Sequence, residues 1–142
     1  MPNEFARLLS IVILAAVFVY GCPKPDEKNR STLKDVDYEQ AVGMINSQNP
    51  PVIIDVRSGE EFNGELGHIP GARLIPIENM ADSMKEVEQF KERDILMVCR
   101  SGRRSSIAGK QLIDAGFRNI YNLKGGMKVR NEKGGAIEKN AD

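Results

Sequence analysis

The chain has 142 residues, which suits one domain and leaves little room for two. Its 20 basic and 20 acidic residues cancel, and with three Tyr, five Phe and no Trp neither a global field nor a base-stacking surface recommends nucleic acid. Two cysteines cannot make a disulfide framework and a single His cannot make a His-based metal cluster, so neither metal nor cofactor is expected.

Near the N-terminus, Arg7 precedes a weakly polar-to-apolar run over 8–20, LLSIVILAAVFVY, followed by Gly21 and Cys22. Thirteen residues fall short of the ~20 that a helix needs to span a bilayer. Length and position fit the apolar core of a secretory signal. Val19-Tyr20-Gly21-Cys22 resembles a bacterial lipobox, with an aliphatic residue three before the Cys and a small one directly before it. That resemblance implies a signal peptide over 1–21, cleavage before Cys22, and a lipid on the Cys22 thiol that holds the protein at the cell envelope, on its periplasmic face or at the surface. The alternative is a retained signal anchor in which Cys22 is incidental. The stretch 22–30 is rich in Pro and charge and reads as a tether.

The globular part is expected over 31–130, with a polar, frayed tail over 131–142. Asp35 or Asp37 can cap a helix whose Tyr38, Ala41, Val42 and Ile45 form one apolar stripe. Asn49-Pro50-Pro51 stops that helix, and Val52-Ile53-Ile54 follows as a short β-branched strand. A weaker strand is predicted over 73–75, ended by Pro76. Over 78–91, Met80, Met84, Val87 and Phe90 share one side of a predicted surface helix. Residues 95–98 are wholly apolar, 105–115 read as a helix with Ile107, Ala108, Gln111, Leu112 and Ala115 inward, and 120–123 form a further strand. Apolar strands separated by amphipathic helices indicate an α/β fold, a parallel sheet with helices on both faces.

Ligands of such sheets gather at the carboxyl ends of the strands, where the segment ILMV-CRSGRR-SSIAGKQLIDAG puts Cys99. Gly102 lets the backbone turn inward, and the helix that follows aims its first N–H groups at the loop. These donors, with the guanidinium groups of Arg100, Arg103 and Arg104, favour a thiolate without a histidine as base. Cys99 is thus expected to be a solvent-reachable nucleophile; the alternative is a core cysteine at a strand end. Loop length then bears on the cargo. Arg104 makes the spacing C-x4-R, with Ser105 at the C-x5 position. The shorter loop makes a narrower cradle, suited to one extra sulfur on Cys99 better than to a tetrahedral oxyanion. Sulfur transfer would then run through two displacements at sulfur, from a donor such as thiosulfate to an acceptor such as cyanide or a thiol.

These residues together resemble a single-domain rhodanese. The resemblance runs through Asp55-Val56-Arg57 with Glu61-Phe62, Gly67-His68-Ile69-Pro70-Gly71-Ala72, Ile77 after a Pro, and the loop Cys99-Arg100-Ser101-Gly102-Arg103-Arg104-Ser105. It continues with Gly116-Phe117 and Leu123-Lys124-Gly125-Gly126, and so covers essentially all of 31–129. It implies an α/β fold with five parallel strands, Cys99 as persulfide carrier, main-chain amides of Arg100, Ser101, Gly102, Arg103 and Arg104 around the sulfur, and Arg104 as an anion-binding group. The chain departs from the family in two places. Many members have a Trp a few residues after the Gly-Gly pair, where this chain has Met127-Lys128-Val129-Arg130, and 63–66 look like a small insertion.

Asp55 and Arg57, at another strand end, suit either an ion-pair brace or a place in the pocket wall, and Glu61 reads the same way. His68 fits a loop brace better than a proton shuttle. The alternatives to sulfur transfer are a Cys-based phosphatase or arsenate reductase on the same fold, a thiol redox protein, and a non-catalytic rhodanese-like binding module. With Cys22 lipidated, Cys99 has no resolving thiol in the chain, leaving only mixed disulfides or persulfides. The expected partners are a small sulfur donor and acceptor, with the membrane reached through the lipid on Cys22.

Overall fold

The computed structural model describes residues 31–140; the signal segment, Cys22, the tether and the last two residues of the tail lie outside the described residues. Five strands form one sheet: β1 (Thr32–Val36), β2 (Val52–Asp55), β3 (Arg73–Leu74), β4 (Asp94–Val98) and β5 (Asn119–Leu123). Their order is β1-β5-β4-β2-β3 and every pairing is parallel, with Ile53 opposite Leu96 and Ile95 opposite Ile120. The helices are α1 (Tyr38–Ile45), α2 (Gly59–Asn63), α3 (Met84–Val87), α4 (Arg103–Asp114) and α5 (Gly126–Glu132). This is the expected α/β fold with five parallel strands.

Alternation along the central strands makes two cores. Ile54, Ile95 and Met97 pack with Ala108 and Leu112 of α4 and with Met80, Val87 and Phe90. Ile53, Leu96 and Val98 pack with Ala41 of α1 and Met127 of α5. Both faces are covered, which is why the central strands read as unbroken apolar runs.

Four expectations need correction. The first strand, Thr32–Val36, was not among the predicted elements; it is an edge strand with a half-exposed pattern, and Asp35 lies within it. Asp37 is the cap of α1, in a reciprocal capping box with Gln40. The segment 78–91 is a series of short turns around α3, flanked by 3-10 turns at Ile77–Asn79 and Glu88–Phe90. Most of its bonds span three residues, as from Met80 N to the Ile77 carbonyl, and Asn79, Asp82 and Ser83 are residues that compete with regular helix bonds. On α4 the buried stripe is Ser105, Ala108, Gly109 and Leu112, while Ile107 is 44% exposed and Gln111 also faces solvent. Finally, the tail is docked through residue 140. Glu138 and His68 exchange backbone hydrogen bonds of 2.8 and 2.9 Å, Ile137 packs on the α1–α5 core, and Asn140 N donates to Asn63 Oδ1 at 3.2 Å.

Candidate active site

Cys99 follows the last residue of β4, beside the end of β2, where Val56 N donates to the Val98 carbonyl at 2.9 Å. The loop 99–102 then reverses the chain into α4. Gly102 caps that helix at φ 94°, a left-handed conformation that suits glycine, and a Cβ there would press within 3.1 Å of the Leu123 carbonyl oxygen. From behind, Met127 N and Lys128 N of α5 bind the carbonyls of Cys99 and Arg100 at 2.9 and 3.1 Å. This approach requires glycine at 126, since a Cβ there would run into the Cys99 carbonyl oxygen and the Arg100 backbone.

The loop curls over its own sulfur. Gly102 N donates to Cys99 Sγ at 3.1 Å, and the Ser105 hydroxyl lies 3.2 Å from the same sulfur. Cys99 is only 1% exposed, so the expectation of an openly solvent-reachable thiol is corrected: the amides that favour the thiolate also cover it. Burial alone pushes the thiol's proton affinity up; hydrogen bonds from the Ser105 side chain and from the backbone of Ser105, Ser101 and Gly102 outweigh it and hold the pKa below the ordinary cysteine value.

Ser105 has one hydroxyl proton and two acceptors. Besides Sγ, it lies 2.6 Å from Asn122 Oδ1, and Asn122 Nδ2 donates to Asp35 Oδ1 at 2.8 Å. The Asp35 contact fixes which end of the Asn122 amide faces Ser105. Polar contacts therefore link the edge strand across β5 to the nucleophile, with the one Ser105 proton placed between two acceptors, Asn122 Oδ1 and Sγ.

Arg104, offered by the resemblance as an anion binder, grips Glu61 in a two-pronged ion pair, both N···O distances 2.7 Å. Its hydrogen bond to Arg104 holds the Glu61 carboxyl below the usual carboxylate range. Arg100 and Arg103 are exposed and have no carboxylate partner among the described residues. Asp55 and Arg57 are both buried. Arg57 Nε and Nη2 bind Asp55 at 2.9 and 2.6 Å, and its remaining donors reach the carbonyls of Glu61 at 3.0 Å and Gly67 at 2.7 Å. Arg57 is thus a brace that ties β2 to α2 and the following loop. It also lines, with Glu60, Glu61, Glu65, Leu66 and Arg100, a cleft of about 220 Å³ beside the Cys99 loop. His68 braces the same region: it stacks on Phe62 with ring centroids 3.6 Å apart, and Nδ1 lies 3.0 Å from the Phe62 carbonyl oxygen.

The Rhodanese-like domain family profile matches residues 37–132, which includes the Cys99 loop and every strand but the first. The chain belongs to this family. This rhodanese-like domain is 32% identical to the thiosulfate sulfurtransferase GlpE of Shewanella oneidensis, an alignment covering 72% of this chain and 96% of GlpE. It is also 32% identical to YrkF of Bacillus subtilis, covering 71% of this chain and 52% of that protein, so the chain spans about half of that relative. Among solved structures, a rhodanese-like domain protein from Staphylococcus aureus superposes with a TM-score of 0.64 at 28% identity, over 74% of this chain and 98% of that one.

Three parts of the rhodanese-like site were not singled out as chemistry from the sequence. Ser105 reads in the sequence as the start of a helix, yet its hydroxyl lies 3.2 Å from the sulfur and 2.6 Å from Asn122 Oδ1. Asn122 and Asp35 lie in strands far along the chain and carry no local motif. The signal that points to Asn122 is a polar residue inside an otherwise apolar run, a buried Asn that must find hydrogen-bond partners.

Proposed function

We propose that this rhodanese-like domain is a sulfurtransferase that carries sulfane sulfur as a persulfide on Cys99. The observation that carries the reading is the Cys99 sulfur itself, held as a depressed-pKa thiol under the Gly102 N–H and the Ser105 hydroxyl at the mouth of α4. In the first step the thiolate attacks the outer sulfur of a donor such as thiosulfate. The new Cys99 S–S bond forms, the donor's S–S bond breaks, and sulfite leaves with the electron pair. In the second step a thiophilic acceptor, cyanide or a thiol, attacks the outer sulfur, and the Cys99 thiolate returns as leaving group. The low pKa serves both steps, since a thiolate is the better attacking group at neutral pH and a low-pKa thiol leaves faster.

The exposed Arg100 and Arg103 are the cations that draw an anionic donor to the loop, while Arg104, tied to Glu61, fixes the start of α4. The assignment to sulfur over phosphate rests on the C-x4-R spacing. Cys99→Ser is expected to abolish thiocyanate formation from thiosulfate and cyanide. Activity retained in that variant, or phosphate-ester hydrolysis without sulfur transfer, would overturn the reading.

We further infer from the lipobox-like residues that 1–21 are a lipoprotein signal peptide and that Cys22 is lipidated, which would tether the domain at a bacterial cell envelope. A diacylglycerol mass on the peptide beginning at Cys22 tests this, and membrane fractionation that is unchanged in Cys22→Ala would contradict it.

A further inference from the structure

At Cys99 the Ser105 hydroxyl has one proton and two acceptors to choose from, Cys99 Sγ at 3.2 Å and Asn122 Oδ1 at 2.6 Å. Cys99, Ser105 and Asn122 are all buried, so bulk water does not replace whichever bond the hydroxyl gives up. Asn122 cannot present its amino end instead, because Nδ2 is held by Asp35 Oδ1 at 2.8 Å. Among the described residues the Ser105 hydroxyl is the donor that Asn122 Oδ1 has. A buried acceptor left without a donor keeps its desolvation cost, so the two acceptors compete for one proton. Gly102 N, at 3.1 Å from Sγ, takes no part in that choice.

Where the charge sits decides the competition. In the free thiolate the negative charge is on Sγ, and a hydrogen bond to an ionised acceptor is stronger than one to a neutral amide oxygen. The Ser105 proton then points to Sγ, and Asn122 Oδ1 goes bare. Once Cys99 carries a second sulfur, the charge lies on the outer atom and Sγ is a neutral sulfur with two covalent bonds, a weak acceptor. The proton then returns to Asn122 Oδ1. The loaded form thus satisfies a buried acceptor that the free thiolate leaves unpaired.

We propose that Asn122 is a positioning residue which, through the Ser105 hydroxyl, favours the sulfur-loaded form of Cys99 over the free thiolate. The inference rests on Cys99 being a persulfide carrier. Loading is an exchange in which the Cys99 thiolate and thiosulfate give the Cys99 persulfide anion and sulfite. One S–S bond breaks as another forms, and the total charge is the same on both sides. The balance point is therefore set by how well the protein holds each form. On discharge Sγ regains its charge and must draw the Ser105 proton away from Asn122, so sulfur is retained until a strongly thiophilic acceptor arrives.

The test equilibrates the full-length protein with mixtures of thiosulfate and sulfite and reads the loaded fraction from intact mass. Asn122→Val removes the amide oxygen with a side chain of similar size that suits a strand. It should need a roughly tenfold higher thiosulfate-to-sulfite ratio for half-loading. The ultraviolet absorbance of the thiolate supplies a second readout that mere loosening of the fold would not move in this sense. The protonated thiol also leaves the Ser105 proton to Asn122, so Asn122→Val should lower the Cys99 pKa whereas Ser105→Ala raises it. Should Asn122→Val not fold, Asn122→Ala carries the same two expectations. An unchanged half-loading ratio, or a Cys99 pKa that rises in the Asn122 variant as it does in Ser105→Ala, would overturn the proposal while leaving the persulfide reading intact. A wild-type protein that takes up no sulfur on Cys99 would overturn that reading, and this inference with it.

Discussion

At the scale of single residues, the Cys99 thiol is governed by a contest between burial and donors. Burial opposes the thiolate, and the Ser105 hydroxyl is the largest of the hydrogen-bond contributions that reverse it. The rate of sulfur uptake should therefore rise with pH through an inflection below the ordinary cysteine value of ~8.5. Ser105→Ala removes one donor from Sγ and should move that inflection upward, read directly from a pH–rate profile with thiosulfate. An unmoved inflection would mean that Ser105 gives its proton to Asn122, its nearer acceptor at 2.6 Å. Cys99 was legible from its place between an apolar strand and a helix in a Gly- and Arg-bearing loop, but the role of Ser105 was not, because the neighbours that orient the hydroxyl come from β5 and β1. Likewise, three nearby arginines in sequence suggested three equivalent cations, whereas Glu61, 43 residues from Arg104, removes one of them from that group.

At the scale of elements, strand β4, the loop and α4 form a strand–turn–helix unit that was legible because every part of its signal is local: an apolar run, a Cys-to-Gly turn and a helical stripe. The stripe itself shifted. Periodicity counts apolar side chains, so it favoured Ile107 and passed over Gly109, which is buried because α4 lies close to Leu33 and Ile120 there. Strand β1 was missed for a related reason, since an edge strand carrying Lys34 and Asp35 on its exposed positions has too few apolar residues to announce itself. The Arg104–Glu61 pair joins α4 to α2 across the cleft, and its pH dependence has a definite sign. The folded-state pKa of Glu61 is depressed, so its contribution to stability is fully present above the unfolded glutamate value of ~4.3 and fades as pH falls through the lower folded value. Glu61→Gln should flatten that acid limb in denaturant titrations while leaving the near-neutral midpoint little changed, because half-exposed pairs of this kind, still screened by solvent, contribute ~1 kcal/mol. A steep acid limb persisting in the variant would place the titrating group elsewhere.

At the scale of the whole molecule, the parallel sheet brings the ends of β2, β4 and β5 to one edge, where Asp55, Cys99 and the chain leading into α5 meet. Patterning disclosed the α/β class and two-sided burial, since apolar strands alternating with amphipathic helices have few other solutions. The docking of the tail was not disclosed: its backbone pairing with His68 uses main-chain groups that every sequence shares. The buried Asp55–Arg57 pair holds this edge together. Asp55→Ala strands the Arg57 guanidinium in the interior and should destabilise the domain by about 3–5 kcal/mol in urea unfolding. A loss within experimental scatter would show that the carbonyls of Glu61 and Gly67 suffice for Arg57.

The most direct measurement is the intact mass of the purified, reduced protein before and after exposure to thiosulfate, with the adduct mapped by peptide fragmentation. A persulfide carrier should gain one sulfur atom, located on Cys99, and lose it on addition of cyanide as thiocyanate appears in stoichiometric amount. No added sulfur, sulfur located elsewhere, or an adduct that cyanide does not remove would contradict a sulfurtransferase working through Cys99.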